Sequence, residues 1–335
     1  MYKIGFNLGL SKGGPSIFID RLKKSLVKLK LNKISYFFDP SIDIYLCINR
    51  IFYNPWNKPI IFRLDGVPHK KYLLSKKFDE VTDIFYNNLN KANGIIYQSK
   101  FCELITKRFF DLNQNIPDTI IYNGIDLKKF NKKGPNLRKI LNIGSNDLVF
   151  LASANFRSKN KRLQSVIDNF NNYKTQKNIK KYLIILGNIN KNFKLKKQVL
   201  KSKNIIIAGN IDPKNLPKWY RTGDIFLHFT YIDFCPNSVV EAIASGLLVL
   251  CTNLGGTREL FEITNSGIVV DADKIKRLDE YNLWNPPEPN KQKISDGISK
   301  IIKNKNKIKR KINLDPINID KVAKKYSDFI NTTKI

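Results

Sequence analysis

Short apolar runs alternate with stretches of helical period along the whole chain. Lys3 to Leu8 reads as a first strand, and Lys12-Gly-Gly-Pro15 as the turn after it. Ile17, Phe18, Leu22, Leu26 and Leu29 then recur at helical spacing. Further strands are predicted at Ile34–Phe38, Ile42–Ile48, Pro59–Leu64 and Gly94–Gln98, with helices at Asp79–Leu89 and Phe101–Phe109. Thr119–Tyr122 closes this half. A second series starts at Leu148–Ala152 and runs through helix Arg162–Tyr173, strand Tyr182–Leu186, helix Lys194–Leu200 and strand Ile205–Ala208. Helix Leu216–Arg221, strand Ile225–His228, helix Ser238–Ser245 and strands Leu248–Cys251 and Gly267–Val270 complete it. Phe130 to Ile143 reads as a hinge between the halves, and Pro286–Pro289 as a polar loop. Ile319, Val322, Tyr326, Phe329 and Ile330 give the tail one apolar helical face. Such alternation predicts an α/β chain with two parallel, helix-covered sheets whose ligands bind at the carboxyl ends of the strands.

Composition narrows the class. The 335 residues suffice for two cores, and 42% hydrophobic with 11% aromatic residues describes a globular chain. No run approaches the ~18 apolar residues of a membrane-spanning helix. The N-terminus reads as a strand and not as a signal peptide. Cys47, Cys102, Cys235 and Cys251 lack CxxC spacing, so reduced, non-metal cysteines of a cytosolic protein are expected. The net charge of +31 admits three readings: nucleic-acid binding, attraction to an anionic membrane, or coding bias toward Lys, Asn and Ile. Nucleic acid is the least favoured, because Lys far outnumbers Arg and bidentate recognition favours Arg.

Candidate chemistry concentrates late in the chain. Asp233-Phe-Cys-Pro-Asn-Ser-Val-Val-Glu241 places two carboxylates eight residues apart at the entrance of a short helix. Gly246 is its expected stop, and Gly255-Gly256-Thr-Arg-Glu259 follows. Pro236 suits the first helical position, so free N–H groups and the positive dipole end would face Asp233. Ionised carboxylates there would be acceptor-only partners for a ligand's hydroxyls. Equally, Ser238-x-x-Glu241 fits a capping box, with Glu241 serving only its own helix. Ala154-Asn-Phe-Arg157-Ser-Lys159-Asn-Lys161-Arg162 is basic, follows a strand and opens a helix, as an anion site would or as a solvated turn would. Gly13-Gly14 lets a ligand approach the backbone. Asn123-Gly124 is a tight turn. Phe62-Arg63-Leu-Asp65-Gly66-Val-Pro-His69 holds one of only two histidines; His228 reads as core or as a group behind the site.

Taken in order, these segments resemble the retaining glycosyltransferases of family 4. That family's pattern is an acid, seven residues, Glu-Ala-x-Ala-x-Gly, then Gly-Gly and Glu. The resemblance implies the GT-B fold: an acceptor-side domain over 1–140, a nucleotide-sugar domain over 141–315, and a C-terminal helix over 316–335 packing back on the first. It implies transfer of a sugar from a nucleoside diphosphate sugar to the hydroxyl of a glycan, lipid-linked or protein-linked acceptor, with retained configuration and no required metal or other cofactor. Asp233 would hold the sugar, Glu241 the ribose, and Arg157 and Lys161 the diphosphate; Asp65 and His69 would serve the acceptor. Gly13, Gly14 and Asn123 would lie beside the cleft. Gly187, Asn210 and Ile211 would frame the base, and Cys235, Pro236, Asn237 and Ser238 would line the donor site. A cytoplasmic location follows, with the cytoplasmic face of an anionic membrane as an alternative and nucleic acid disfavoured as a partner. The chain departs from the pattern at Asp233, where Glu is commoner, at Leu248 for Pro, and at Lys161-Arg162 for Lys-Gly. A nucleotide-sugar epimerase and an inactive basic scaffold are the competing readings.

Overall fold

Near-continuous apolar runs such as Ile44–Ile48, Ile60–Leu64 and Leu248–Thr252 are what strands covered on both faces require, and all three are buried throughout. The structure, a computed structural model, describes residues 1–7, 13–36, 38–48, 54–68, 78–189, 202–277 and 280–333. The first half runs β1 (Lys3–Asn7), α1 (Gly14–Lys28), β2 (Lys33–Ser35), β3 (Ile44–Ile48), β4 (Ile60–Leu64), α2 (Phe78–Asn90), β5 (Gly94–Tyr97), α3 (Lys100–Phe109) and β6 (Asp118–Ile120). The second runs β7 (Leu148–Ser153), α4 (Leu163–Asn172), β8 (Lys181–Leu186), β9 (Ile205–Gly209), α5 (Leu216–Tyr220), β10 (Ile225–His228), α6 (Asn237–Ala244), β11 (Leu248–Thr252), α7 (Thr257–Thr264) and β12 (Gly267–Val270). Helices α8 (Lys291–Lys303), α9 (Lys305–Lys311) and α10 (Ile319–Thr332) close the chain.

Both sheets are parallel. Their strand orders are β2-β1-β3-β4-β5-β6 and β12-β11-β10-β7-β8-β9. Chain direction across the sheet reverses between β1 and β3 in one, and between β7 and β10 in the other. Crevices at the carboxyl ends of strands at such reversals are where open α/β sheets bind ligands.

The expected elements are present to within a few residues, except that Lys194–Leu200 lies outside the described residues. Helices α7, α8 and α9 were not anticipated. The expected hinge at Phe130–Ile143 is instead anchored on the second sheet. Phe130 and Ile143 are buried in its core, Leu137 N donates to Thr222 Oγ1 at 2.9 Å, and Arg138 pairs with Asp224 at 2.6 Å. The chain crosses between halves at Ile125 and returns at Ile317–Ile319, and the two crossings bond to each other. Ile125 N donates to Ile317 O at 2.8 Å, and Ile319 N to Ile125 O at 3.0 Å. Helix α10 then packs on α1 as its apolar face requires: Ile319, Val322, Tyr326 and Ile330 join Phe18, Leu22 and Leu26 in one core. Ser25 and Lys28 tie α1 to Asp320.

Candidate active site

Where the two reversals face each other there is a cavity of about 270 Å³, lined among others by Gly14, Asp65, Asn123, Lys161, Asp233 and Asn237. The start of α1 and the segments that follow β4, β5, β6, β7 and β10 converge there. On the first-domain side it meets the N-terminus of α1, whose cap is Gly13 and whose first turn holds Pro15. Asn237 Nδ2 reaches across to Gly14 O at 2.8 Å. Asp233 is held by its backbone. Gly256 N donates to Asp233 O at 2.8 Å, and Gly255, at φ +80°, passes so close that a Cβ would sit 2.5 Å from that oxygen. Only glycine fits there.

Asp233 Oδ2 lies 2.6 Å from Lys161 Nζ and 4.0 Å from His228 Nε2. Burial is the largest single influence on the Asp233 carboxyl and would raise it, but Lys161, His228 and the backbone N–H of Phe234 together outweigh it and hold the group below the ordinary carboxylate range. Lys161 ends a short turn over Lys159–Lys161, and Arg162 turns the chain into α4 at φ +47°. Arg162 sustains that conformation through a buried bidentate pair with Asp273, at 2.7 and 3.0 Å, and by stacking 4.5 Å over the Tyr231 ring.

Burial pushes His228 down to about 4, so it is neutral at physiological pH. The native state then takes up a His228 proton only below about 4, whereas the unfolded chain takes it up near 6.5. This contribution to stability is therefore complete above 6.5 and lost as pH falls toward 4, by about 2 kcal/mol at pH 5. The expected result is that His228→Gln flattens the difference in unfolding midpoint between pH 7 and 5. An unchanged pH dependence would mean that His228 titrates normally.

A second cluster lies under the cavity. Arg63, fully buried in β4, pairs with Asp65, donates from Nε to Tyr326 Oη at 2.6 Å and from Nη2 to Asn123 Oδ1 at 2.5 Å, and stacks 4.2 Å over Phe18. Asn123 Nδ2 then donates to Cys235 O at 2.7 Å. One arginine thus links β4, the crossing, α10 and, through Asn123, the Asp233 loop. The Cys235 thiol is pushed up to about 12 by burial, which rules it out as a nucleophile at neutral pH. Among the described residues no group of three or more His, Cys, Asp or Glu could hold a metal.

Residues 134–284 match the family model for glycosyl transferases group 1. This part of the chain is a glycosyl transferases group 1 domain. Over 96 residues the chain is 27% identical to the Bacillus subtilis (strain 168) protein TuaC, named as a teichuronic acid biosynthesis glycosyltransferase. That match takes in 27% of this chain and spans only a quarter (25%) of the relative. Among solved structures, Anabaena HepE in complex with UDP and glucose superposes with a TM-score of 0.71 at 14% identity, covering 99% of this chain and 100% of that one. Sucrose-phosphate synthase from Thermosynechococcus elongatus gives 0.71 at 13%, covering 99% and 98%. At these identities the likeness is one of fold, and the fold is GT-B.

Within the group 1 domain, not every expected residue lies at the Asp233 cavity. Pro236 is the cap of α6 and not its first turn, because its ψ of 122° is extended. The capping box does not form. Glu241, only 6% exposed, bonds to Arg21 Nη2 at 2.5 Å and to Tyr220 Oη at 3.0 Å, and it does not line the cavity. Arg157 is exposed and lines a separate cavity of about 380 Å³ with Arg162 and Glu288, so it does not join Lys161. Gly187, Asn210 and Ile211 sit at the ends of β8 and β9 outside the Asp233 cavity. Gly187, at φ +111°, is needed because a Cβ would meet Ala154 O at 2.0 Å. Cys235, Pro236, Asn237 and Ser238 do line the cavity; His69 lies outside the described residues. Glu259, to which no role was given, caps α3 across the cleft, accepting from Lys100 N at 2.7 Å, Phe101 N at 2.8 Å and Tyr122 Oη at 2.9 Å. Arg21 and Tyr220 were missed outright. An arginine inside the apolar run of β4 was the signal that could have exposed the Arg63 cluster.

Proposed function

We propose that the chain is a retaining glycosyltransferase that moves a sugar from a nucleoside diphosphate sugar to an acceptor hydroxyl. The observation that carries this reading is the Lys161–Asp233 pair lining a cavity that the N-terminus of α1 also bounds. Breaking a sugar–phosphate bond leaves growing charge on the diphosphate. Lys161 and the positive dipole end of α1 are fixed positive partners for that charge, stronger in the transition state than in the ground state. Asp233 accepts from the sugar's hydroxyls, and its ion pair keeps it ionised for that task. Glu241 takes the ribose, and Gly187, Asn210 and Ile211 flank the base. Asp65, in the first domain and held by Arg63, faces the acceptor. Opening and closing pivot on the paired crossings at Ile125 and Ile317–Ile319. No helix among the described residues is long and apolar enough to cross a membrane, and we place the reaction in the cytoplasm, on a glycan or lipid-linked acceptor.

A thermal-unfolding screen with UDP-, GDP-, ADP- and TDP-sugars tests the donor site. A ligand at 100 times its dissociation constant should add about 2.7 kcal/mol, and Asp233→Ala or Glu241→Ala should abolish the shift. Absence of any shift, with no turnover, would leave an inactive basic scaffold as the better account.

A further inference from the structure

Arg21 belongs to α1 of the first domain, yet the partners its guanidinium has among the described residues lie in the second half. Its Nη2 donates to Glu241 Oε1 at 2.5 Å, and the group sits 5.5 Å over the Phe130 ring. Its Nη1 is buried without a hydrogen-bond partner among the described residues. A buried, unsatisfied guanidinium N–H is costly, and such a group in a folded protein calls for an explanation. Across from it, Glu241 Oε2 accepts from Tyr220 Oη at 3.0 Å. An ionised carboxylate has roughly four lone-pair sites, so with two used each oxygen can accept once more. The pair therefore combines spare acceptor capacity on Glu241 with a spare donor on Arg21, side by side.

A vicinal diol has the complementary set: two hydroxyls, each able to donate and to accept. We infer that Arg21 is a specificity residue of the ribose subsite, reading the nucleotide's 2′- and 3′-hydroxyls together with Glu241. This rests on the donor-site assignment of Glu241 given above. The hydroxyls donate to the carboxylate and accept from Nη1, which removes the unsatisfied N–H. Because Arg21 comes from the first domain and Glu241 from the second, the subsite is complete only when the domains are together. In this structure Glu241 is almost wholly buried and lies outside the cavity that holds Asp233, so the diol enters only when the two domains part.

Calorimetric titration of the full chain with UDP, GDP and ADP and their 2′-deoxy counterparts tests this. For the nucleobase that binds, the wild-type protein should prefer the ribo form by about tenfold or more, the worth of one hydrogen bond to a charged group. Arg21→Gln should bring that preference close to one while raising the donor KM more than it lowers kcat. Arg21→Lys, which keeps the charge but not the fork, should retain only part of it. Unfolding midpoints of all variants establish that each is folded. If Arg21→Gln keeps the wild-type preference while Glu241→Gln loses it, the donor site stands and Arg21 merely holds the domains together. Equal binding of ribo and deoxy forms by the wild type would overturn the diol assignment. If no nucleotide binds at all, the donor site is wrong and the inference goes with it.

Discussion

Asp233→Asn is expected to lower kcat/KM for sugar transfer by about 10²–10³-fold, the range found when one preorganised electrostatic partner of a transition state is removed. The substitution keeps the side chain's volume and leaves the Gly256 N to Asp233 O bond in place, so the loop should persist and the unfolding midpoint should change little. What disappears is the charge that pairs with Lys161 at 2.6 Å and would bind the sugar. Lys161→Ala should show a loss of similar size. The double variant should be much less impaired than the product of the two, because the residues act as a unit. Steady-state rates with the donor found by the screen are the measurement. A loss below tenfold would remove Asp233 from contact with the transferring sugar. Since Lys161 holds the Asp233 carboxyl below the ordinary range, activity should not fall through protonation of this group until the pH drops below that range.

The alternation of strands and helices was legible because strands buried on both faces read as continuous apolar runs. The C-terminal helix was legible because its apolar face is continuous and has a single place to dock. Helix α8 was not. Gly297 interrupts its pattern, and that glycine is set by tertiary packing: a Cβ there would lie 2.5 Å from Val270 Cγ2. Helix α9 is seven residues with five cations and one apolar side chain, so it has no face for a periodicity to mark. The carboxylate motif and its Gly-Gly partner were legible because both lie within one stretch of chain. The sequence alone left Glu241 between a cap and a ligand; the capping box fails because the helix cap is Pro236, so Ser238 already lies inside the first turn. Arg21 acts from 220 residues away. Arg63 and Tyr326 meet across 263 residues. Local pattern cannot reveal contacts that exist only once distant segments of the chain are brought together.

Asp273→Ala is expected to cost about 3–5 kcal/mol, the penalty for leaving a buried charge without its partner. Arg162 and Asp273 each expose only 1% of their side chains, and both terminal guanidinium nitrogens bond to the carboxylate. Without Asp273 the guanidinium keeps, among the described residues, the Phe229 carbonyl at 3.4 Å and the Tyr231 ring face, too little to offset its desolvation. The consequence should also reach the cavity, because Arg162 immediately follows Lys161 and takes its left-handed conformation against that anchor. A second substitution separates the two effects. Replacing both partners by apolar residues, Arg162→Met with Asp273→Leu, removes the orphaned charge and should recover most of the stability. It does not restore the anchor that aims Lys161 at Asp233, so kcat should stay depressed. Calorimetric unfolding and steady-state rates on the same three proteins check this. A double variant that regains full activity along with stability would mean that the ion pair serves the fold alone and that Lys161 is positioned by something else.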